Sequence, residues 1–438
     1  MALMSWGDGI TSYYYQQDPK VTCPSVTLQV TNNCCLRCSY CYQHEKSNKY
    51  MSVDTAKKCI DLLFKMYQED REEAFINHHT KGIILEFIGG EPFLNIDTIS
   101  AASEYFLQKA YQENLDWLLN SRFSITSNGV LYFEPKVQEY LHKYSDRVSL
   151  TITVDGPQEL HDSCRVDAEG HGSFEKAFAA WKDVRDKYHD SSTKITIAPE
   201  NLPYLKQIFS FFIQEGCTTI DANPIFEHKW TVEEAKLYHQ QLIALADELL
   251  NHPEVSSTLF RPYQGPLSSL DNQNWCGGTG KMLAFDPDGL AYPCLRYMPD
   301  SLGKERKPIV VGDYNAIYDT PERQQLYVDF LQIDRRSQST DECWNCPVAQ
   351  GCSWCSAYNY QEAGTPNKRS TNICWMHRAN FLANVYYWNL SYIRGRNRVI
   401  IPMYLPREIA TQLITNSHYD ELLDYYKQAM DLISTACI

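Results

Sequence analysis

The cysteines constrain this chain more than any other feature. Of sixteen, four fall within residues 34–41 and seven within residues 276–374, and the rest stand alone. Residues Met1–Asp8 lack the basic region and apolar run of a signal peptide. No stretch reaches the ~18 apolar residues of a membrane span. The expectation is a cytoplasmic chain without membrane association, where thiols stay reduced and clustered cysteines serve metal or iron–sulfur ligation. The isolated Cys23, Cys59, Cys164, Cys217 and Cys437 read as small buried hydrophobes. With 40 basic against 54 acidic residues, the formal charge is −14. That argues against a broad nucleic-acid footprint.

Between the cysteine groups the pattern alternates. Strands are predicted at 25–31, 82–88, 122–126, 148–154, 194–198 and 218–222, with helices between them. Ser52 is placed to cap a helix whose buried stripe is Ala56, Cys59, Ile60 and Leu63, and Ile99, Ala102, Phe106 and Ala110 mark the next. A helix over 231–250 closes six β/α units, which predict a parallel sheet, open or curled into a partial barrel. Function in such folds sits at the C-terminal ends of the strands. The first strand ends at the Cys34 group, the second at Gly89-Gly90-Glu91-Pro92, the third at Ser127-Asn128-Gly129 and the fourth at Asp155-Gly156-Pro157. The division expected is a core over 1–255, a cysteine-rich unit over 256–375 and a helical segment over 376–438.

Cys34-x3-Cys38-x2-Cys41 places three thiolates on one loop. Three ligands leave one iron of a four-iron cube open to a small molecule, and Tyr40 is placed to shield it. A zinc site short of a histidine and plain core cysteines are the competing readings. Gly89 and Gly90 allow close backbone approach, and Glu91 adds a carboxylate acceptor. Arg165 suits a bidentate carboxylate clamp, and His161 and Asp162 lie on its loop.

The cysteine loop, GGEP and the Thr153-Val154-Asp155-Gly156-Pro157…His161-Asp162-x2-Arg165 segment together resemble the radical S-adenosylmethionine (SAM) superfamily. The resemblance implies a partial (β/α)6 barrel and a [4Fe–4S] cluster on Cys34, Cys38 and Cys41. SAM would lie against Tyr40, Gly89, Gly90, Glu91, Pro92, Ser127, Asn128, Thr153, Asp155 and Arg165. In that family an electron from the cluster cleaves SAM to a 5′-deoxyadenosyl radical, which abstracts hydrogen from the substrate. Cys35 stands where the family more often has Asn, and it opens an alternative Cys35-x2-Cys38 reading.

Cys276-x12-Gly289-x4-Cys294, then Cys343-x2-Cys346-x5-Cys352-x2-Cys355 and Cys374, resembles the SPASM extension. That extension holds two auxiliary [4Fe–4S] clusters, three in all with the first. The spacing departs once, with x2 instead of x3 before Cys355, and paired C-x2-C also suits zinc. The resemblance implies one cluster on Cys343, Cys346, Cys352 and Cys374. It implies another on Cys276, Cys294 and Cys355, with an open iron for a substrate thiolate.

Residues Ile10-Thr11 and Thr196–Leu202 resemble maturases paired with Cys-x-x-x repeat peptides. The implied partners are a ribosomally made precursor peptide and an electron donor such as flavodoxin or ferredoxin. The implied reaction is a cysteine sulfur-to-carbon thioether crosslink. Carbon–carbon crosslinking and anaerobic sulfatase maturation are the enzymatic alternatives, and an iron–sulfur electron carrier is the non-enzymatic one. Leu295, directly after Cys294, occupies the position where sulfatase maturases use an Asp as base.

Overall fold

The computed structural model describes residues 21–71, 74–188, 192–260, 276–303 and 306–436. The features read at Met1–Asp8, Ile10-Thr11 and Cys437, and the 261–275 part of the cysteine-rich unit, lie outside the described residues.

All six β/α units are present. The strands are β1 (Ser25–Thr31), β2 (Ile84–Gly89), β3 (Arg122–Ser127), β4 (Val148–Ile152), β5 (Ser192–Ile197) and β6 (Thr219–Pro224). The helices are α1 (Val53–Glu69), α2 (Ile96–Glu113), α3 (Leu115–Asn120), α4 (Pro135–Lys143), α5 (Gln158–Cys164), α6 (Phe174–Tyr188), α7 (Leu205–Gln214) and α8 (Val232–Leu249). Strands β1 to β4 pair in parallel in sequence order. Strands β5 and β6 pair in parallel in a separate block with the short β7 (Ser256–Ser257).

Local chemistry explains the elements. Ser52 accepts from the Thr55 N–H at the start of α1, and Thr231 and Glu234 form a reciprocal capping box at the start of α8. The apolar stripes read for α1 and α2 are buried against the sheet. Cys59, Cys164 and Cys217 are buried as small hydrophobes, and Cys23 is half-buried. No disulfide joins any described cysteine.

The second cysteine region contributes strands that its composition did not announce. Strand β8 (Met282–Phe285) pairs in parallel with β1, Ser25 opposite Met282. Strands β9 (Leu290–Tyr292), β10 (Gly312–Asp313) and β11 (Ala316–Ile317) continue antiparallel, giving the order β11-β10-β9-β8-β1-β2-β3-β4. Gly289 has φ +83 in the β8–β9 turn, a conformation that suits glycine. Beyond it come α9 (Pro321–Leu331) and α10 (Ser356–Ala363), then the expected helical tail of α11 (Cys374–Ile393) and α12 (Asn416–Ala436). Helix α11 packs on α8 and α12. Its Asn380 and Asn384 both donate to Leu259 O, at 2.8 and 3.0 Å. Among the described residues no helix is long and apolar enough to cross a membrane.

Candidate active site

The ends of β1 to β4 bring the residues read from the sequence onto one rim. Gly90 N donates to Thr31 O at 3.0 Å and Glu91 N to Asn33 O at 2.9 Å, which sews the GGEP turn to the residues before Cys34. A Cβ on Gly90 would stand 2.3 Å from Asn33 O and 2.8 Å from the Cys34 Cβ. Only glycine permits that approach. Pro92 is buried and starts a single 3₁₀ turn. The far side of the cysteine loop is held by the 164–167 segment, through Arg37 N to Val166 O at 2.6 Å and Ser39 N to Cys164 O at 3.0 Å.

Glu91 is fully enclosed. It accepts from Ser127 Oγ and Asn128 N, both at 2.8 Å, and from Phe93 N at 3.2 Å. Burial raises its carboxyl to about 7 against the pull of these donors. Ser127 and the Asn128 backbone therefore orient Glu91. The Asn128 side chain points at the cysteines, its Nδ2 3.2 Å from Cys35 Sγ and 3.7 Å from Cys34 Sγ.

Across the rim, Arg165 Nη1 donates to the Tyr40 phenol at 2.7 Å, and that phenol donates to Asp155. Arg165 and Asp155 are buried 3.6 Å apart. Burial, then the Asp155 charge, holds the Tyr40 phenol well above its ordinary range. His161 accepts from Asp155 N at Nδ1, 3.2 Å, and its Nε2 lies 2.9 Å from Ser173 Oγ, which donates to Arg165 O at 2.8 Å. Burial lowers His161 to about 3, so the ring is neutral and its Nε2–H faces Ser173. Asp162 accepts from Ser173 N and Phe174 N at the start of α6. Thr153 is half-buried, its N–H bound to Ser127 O at 3.0 Å.

The cysteine electrostatics separate Cys34 from Cys35. The Cys35 thiol lowers Cys34 to about 6, against burial and with help from Leu36 N–H, Lys46 and Arg165. Cys35 itself is raised by that same contact, by burial and by Glu91. Burial lifts Cys38 to about 11. Lys46 Nζ lies 3.2 Å from Cys41 Sγ. The loop beyond Cys41 is tied to the second cysteine region by Asp300, which accepts from Gln29 and Gln43 at 2.9 and 3.0 Å.

The remaining seven cysteines sort into two groups by mutual influence. Burial, then Cys355 and Cys276, raises Cys294, and Cys276 Sγ lies 3.1 Å from Ser356 Oγ. Burial, then Cys352 and Cys343, lifts Cys374 to about 12. Among the described residues no three His, Cys, Asp or Glu side chains converge as a ready single-ion site. Yet the donors suit a larger iron–sulfur group. Thiols shielded from water lose their protons on binding iron. The rim also keeps buried polar atoms without partners, Arg165 Nε and Asp155 Oδ1, as a site for a polar ligand does.

Several neighbours were not singled out in the sequence. Lys46 lies five residues beyond Cys41, and that closeness was its only local signal. Arg296 follows Cys294 by two residues; it forms an ion pair with Glu227, and its guanidinium stands 4.7 Å from the Tyr42 ring centre.

Residues 28–212 match the Radical SAM superfamily. An uncharacterised Methanocaldococcus jannaschii protein is 28% identical over 44% of this chain and 59% of its own length. The radical SAM cyclopropyl synthase TigE of Paramaledivibacter caminithermalis is 23% identical over 62% of this chain and 57% of its own. The chain thus spans less than two thirds of either relative. A cysteine-type anaerobic sulfatase-maturating enzyme of Clostridium novyi is 25% identical over 62% of this chain and 72% of its own. The structure of native anSMEcpe with bound AdoMet and Cp18Cys peptide superposes with TM-score 0.63 at 16% identity, covering 85% of this chain and 98% of that one. Streptococcus suis SuiB bound to its precursor peptide SuiA gives TM-score 0.54 at 13% identity, covering 82% and 78%. At these identities the structures speak for the fold alone. The match to the Radical SAM superfamily covers residues 28–212, less than half of the chain, and the fold is shared with these solved structures over most of it.

Proposed function

We propose that this protein is a radical SAM enzyme that modifies a ribosomally made peptide, forming a cysteine sulfur-to-carbon thioether. Cys34, Cys38 and Cys41 would hold the SAM-cleaving [4Fe–4S] cluster, Cys276, Cys294 and Cys355 a second, and Cys343, Cys346, Cys352 and Cys374 a third. Glu91 would receive the SAM ammonium group, and Thr153 and Arg165 its carboxylate. Cluster and SAM, when bound, supply a carbon radical that removes hydrogen from the peptide. The protein's own part is to hold SAM, to keep water from the rim and to present the peptide.

One observation carries the reading. Arg296, two residues after Cys294, lies over Tyr42, the neighbour of Cys41, and interacts with Cys355. A peptide bound beside this arginine would lie between the radical source and a group of three cysteines whose fourth ligand the substrate thiolate can supply. Solved structures of similar fold that hold a peptide, Cp18Cys in one and the precursor SuiA in the other, support a peptide as the substrate. The electron donor would be a flavodoxin or ferredoxin.

Sulfatase maturation is the second reading, favoured by the Clostridium novyi relative. Against it, Leu295 replaces the Asp expected of such an enzyme. Anaerobic co-expression with a Cys-repeat precursor decides between them by mass spectrometry. Loss of two hydrogens and one titratable thiol per modification is the expected result. Loss of hydrogens with every thiol retained indicates a carbon–carbon bond. Conversion of a sulfatase-type peptide to formylglycine establishes the second reading. Absence of 5′-deoxyadenosine from the reconstituted protein overturns both.

A further inference from the structure

The cysteine quartet Cys343, Cys346, Cys352 and Cys374 is flanked by two buried arginines that the proposed reaction leaves unused. Arg335 and Arg369 are 5% and 8% exposed. Arg335 Nη2 donates to Trp344 O at 3.1 Å, and its guanidinium lies 4.8 Å from the Trp344 ring centre, beside Cys343. Its Nε and Nη1 have no partner. Arg369 Nη2 donates to Cys352 O at 3.4 Å, and its Nε has no partner. Among the described residues neither arginine forms an ion pair with a carboxylate. Burial and the nearby Arg369 hold Arg335 below the usual guanidinium range, and the quartet thiols pull the other way.

Two buried, adjacent cations with idle N–H groups are costly unless an anion meets them. Among the described residues the fold supplies none from acidic side chains, and the chemistry left is that of the four thiolates and what they bind. The trio Cys276, Cys294 and Cys355 differs. Its arginine, Arg296, is already matched by Glu227.

We infer that Arg335 and Arg369 are the counter-charges and N–H donors of an iron–sulfur cluster on Cys343, Cys346, Cys352 and Cys374, and that they make it more easily reduced than the cluster on Cys276, Cys294 and Cys355. Reduction adds negative charge. Unneutralised cations and hydrogen bonds to sulfur favour the reduced state, and a cation already paired with a carboxylate does so less. The inference rests on the cluster assignments proposed above. It adds to them which residues set the order of the two potentials.

The test is a potentiometric titration of the full-length, anaerobically reconstituted protein, followed by electron paramagnetic resonance. Cys374→Ser and Cys276→Ser identify which signal belongs to which cluster. The signal altered by Cys374→Ser is expected at the higher potential in the unmodified protein. Arg369→Met is expected to shift that signal to lower potential and leave the other in place, and Arg369→Lys to shift it less. Glu227→Gln is expected to raise only the signal altered by Cys276→Ser, and it decides the matter even where Arg369→Met fails to fold. Equal or reversed potentials, or a Glu227→Gln protein with neither signal moved, overturn the inference. Zinc in the quartet, with no signal for Cys374→Ser to alter, overturns the cluster assignment itself.

Discussion

Arg165 and Tyr40 meet above the cysteine loop, guanidinium to phenol oxygen at 2.7 Å, and Tyr40 passes its own proton toward Asp155. The three side chains come from the cluster loop, the end of β4 and the end of α5, so the relay locks three segments of the rim together. Tyr40→Phe is expected to lower the stability of the metal-free protein by about 1–3 kcal/mol, since it leaves a buried acceptor short of a donor. Arg165→Lys keeps the charge and loses the fork. Its expected effect is a roughly tenfold weaker SAM affinity, about 1.4 kcal/mol. Equilibrium dialysis on reconstituted protein measures the second effect and a thermal melt the first.

Glu91 gives a sharper test, because its oxygens face donors. Glu91→Gln turns an amide NH2 toward the Ser127 hydroxyl or the Asn128 N–H. Loss of the charge and of one good acceptor is expected to weaken SAM binding by at least about tenfold, in line with ~1.5–3 kcal/mol for a charge-assisted hydrogen bond. Unchanged SAM affinity in a folded Glu91→Gln protein would remove Glu91 from the SAM site.

Gly90→Ala probes packing. The added Cβ would fall 2.3 Å from Asn33 O, a backbone atom with little room to yield. Overpacking of this kind costs about 1–3 kcal/mol. The displaced segment begins at Cys34, so iron content is expected to fall by about four per chain. Colorimetric iron and sulfide assays after reconstitution check it.

Acid sensitivity is expected to come in part from His239, far from the rim. Burial, then the neighbouring His418, lowers its ring to about 3, and its Nε2 has no partner. Above pH ~6.5 the ring is neutral in both folded and unfolded chains, and the full stability is present. As pH falls toward 3, the unfolded chain takes up a proton that the folded one refuses. Stability then drops by up to about 1.4 kcal/mol per pH unit. His161 and His377, lowered to about 3 and about 4, act with the same sign. His239→Gln is expected to flatten this acid limb when thermal midpoints at pH 7 and pH 5 are compared. A variant with the unaltered pH slope would assign the limb to other groups.

The six strands and their rim were legible because each is a run of five to seven residues, long enough to carry its pattern, with glycine, proline or asparagine at its end or within four residues of it. The pairing of β8 with β1 was not legible. Strands of four and two residues, such as Met282–Phe285 and Gly312–Asp313, show no periodicity of their own and owe their register to a distant partner. Ser127 and Asn128 were placed correctly on the rim. Their hydrogen bonds to Glu91 depend on how β2 and β3 lie side by side, which no local spacing encodes. Arg335 and Arg369 gave no signal either, since an arginine becomes notable only when the fold withholds a carboxylate from it.

Strand β1 leads directly into the Cys34 loop, yet one of its two edges is completed only by Met282–Phe285. During synthesis that edge stays open until most of the chain has left the ribosome, a long-range pairing of the slow and aggregation-exposed kind. The strand that leads into the first cysteine loop is thereby fully paired only once the second cysteine region has arrived.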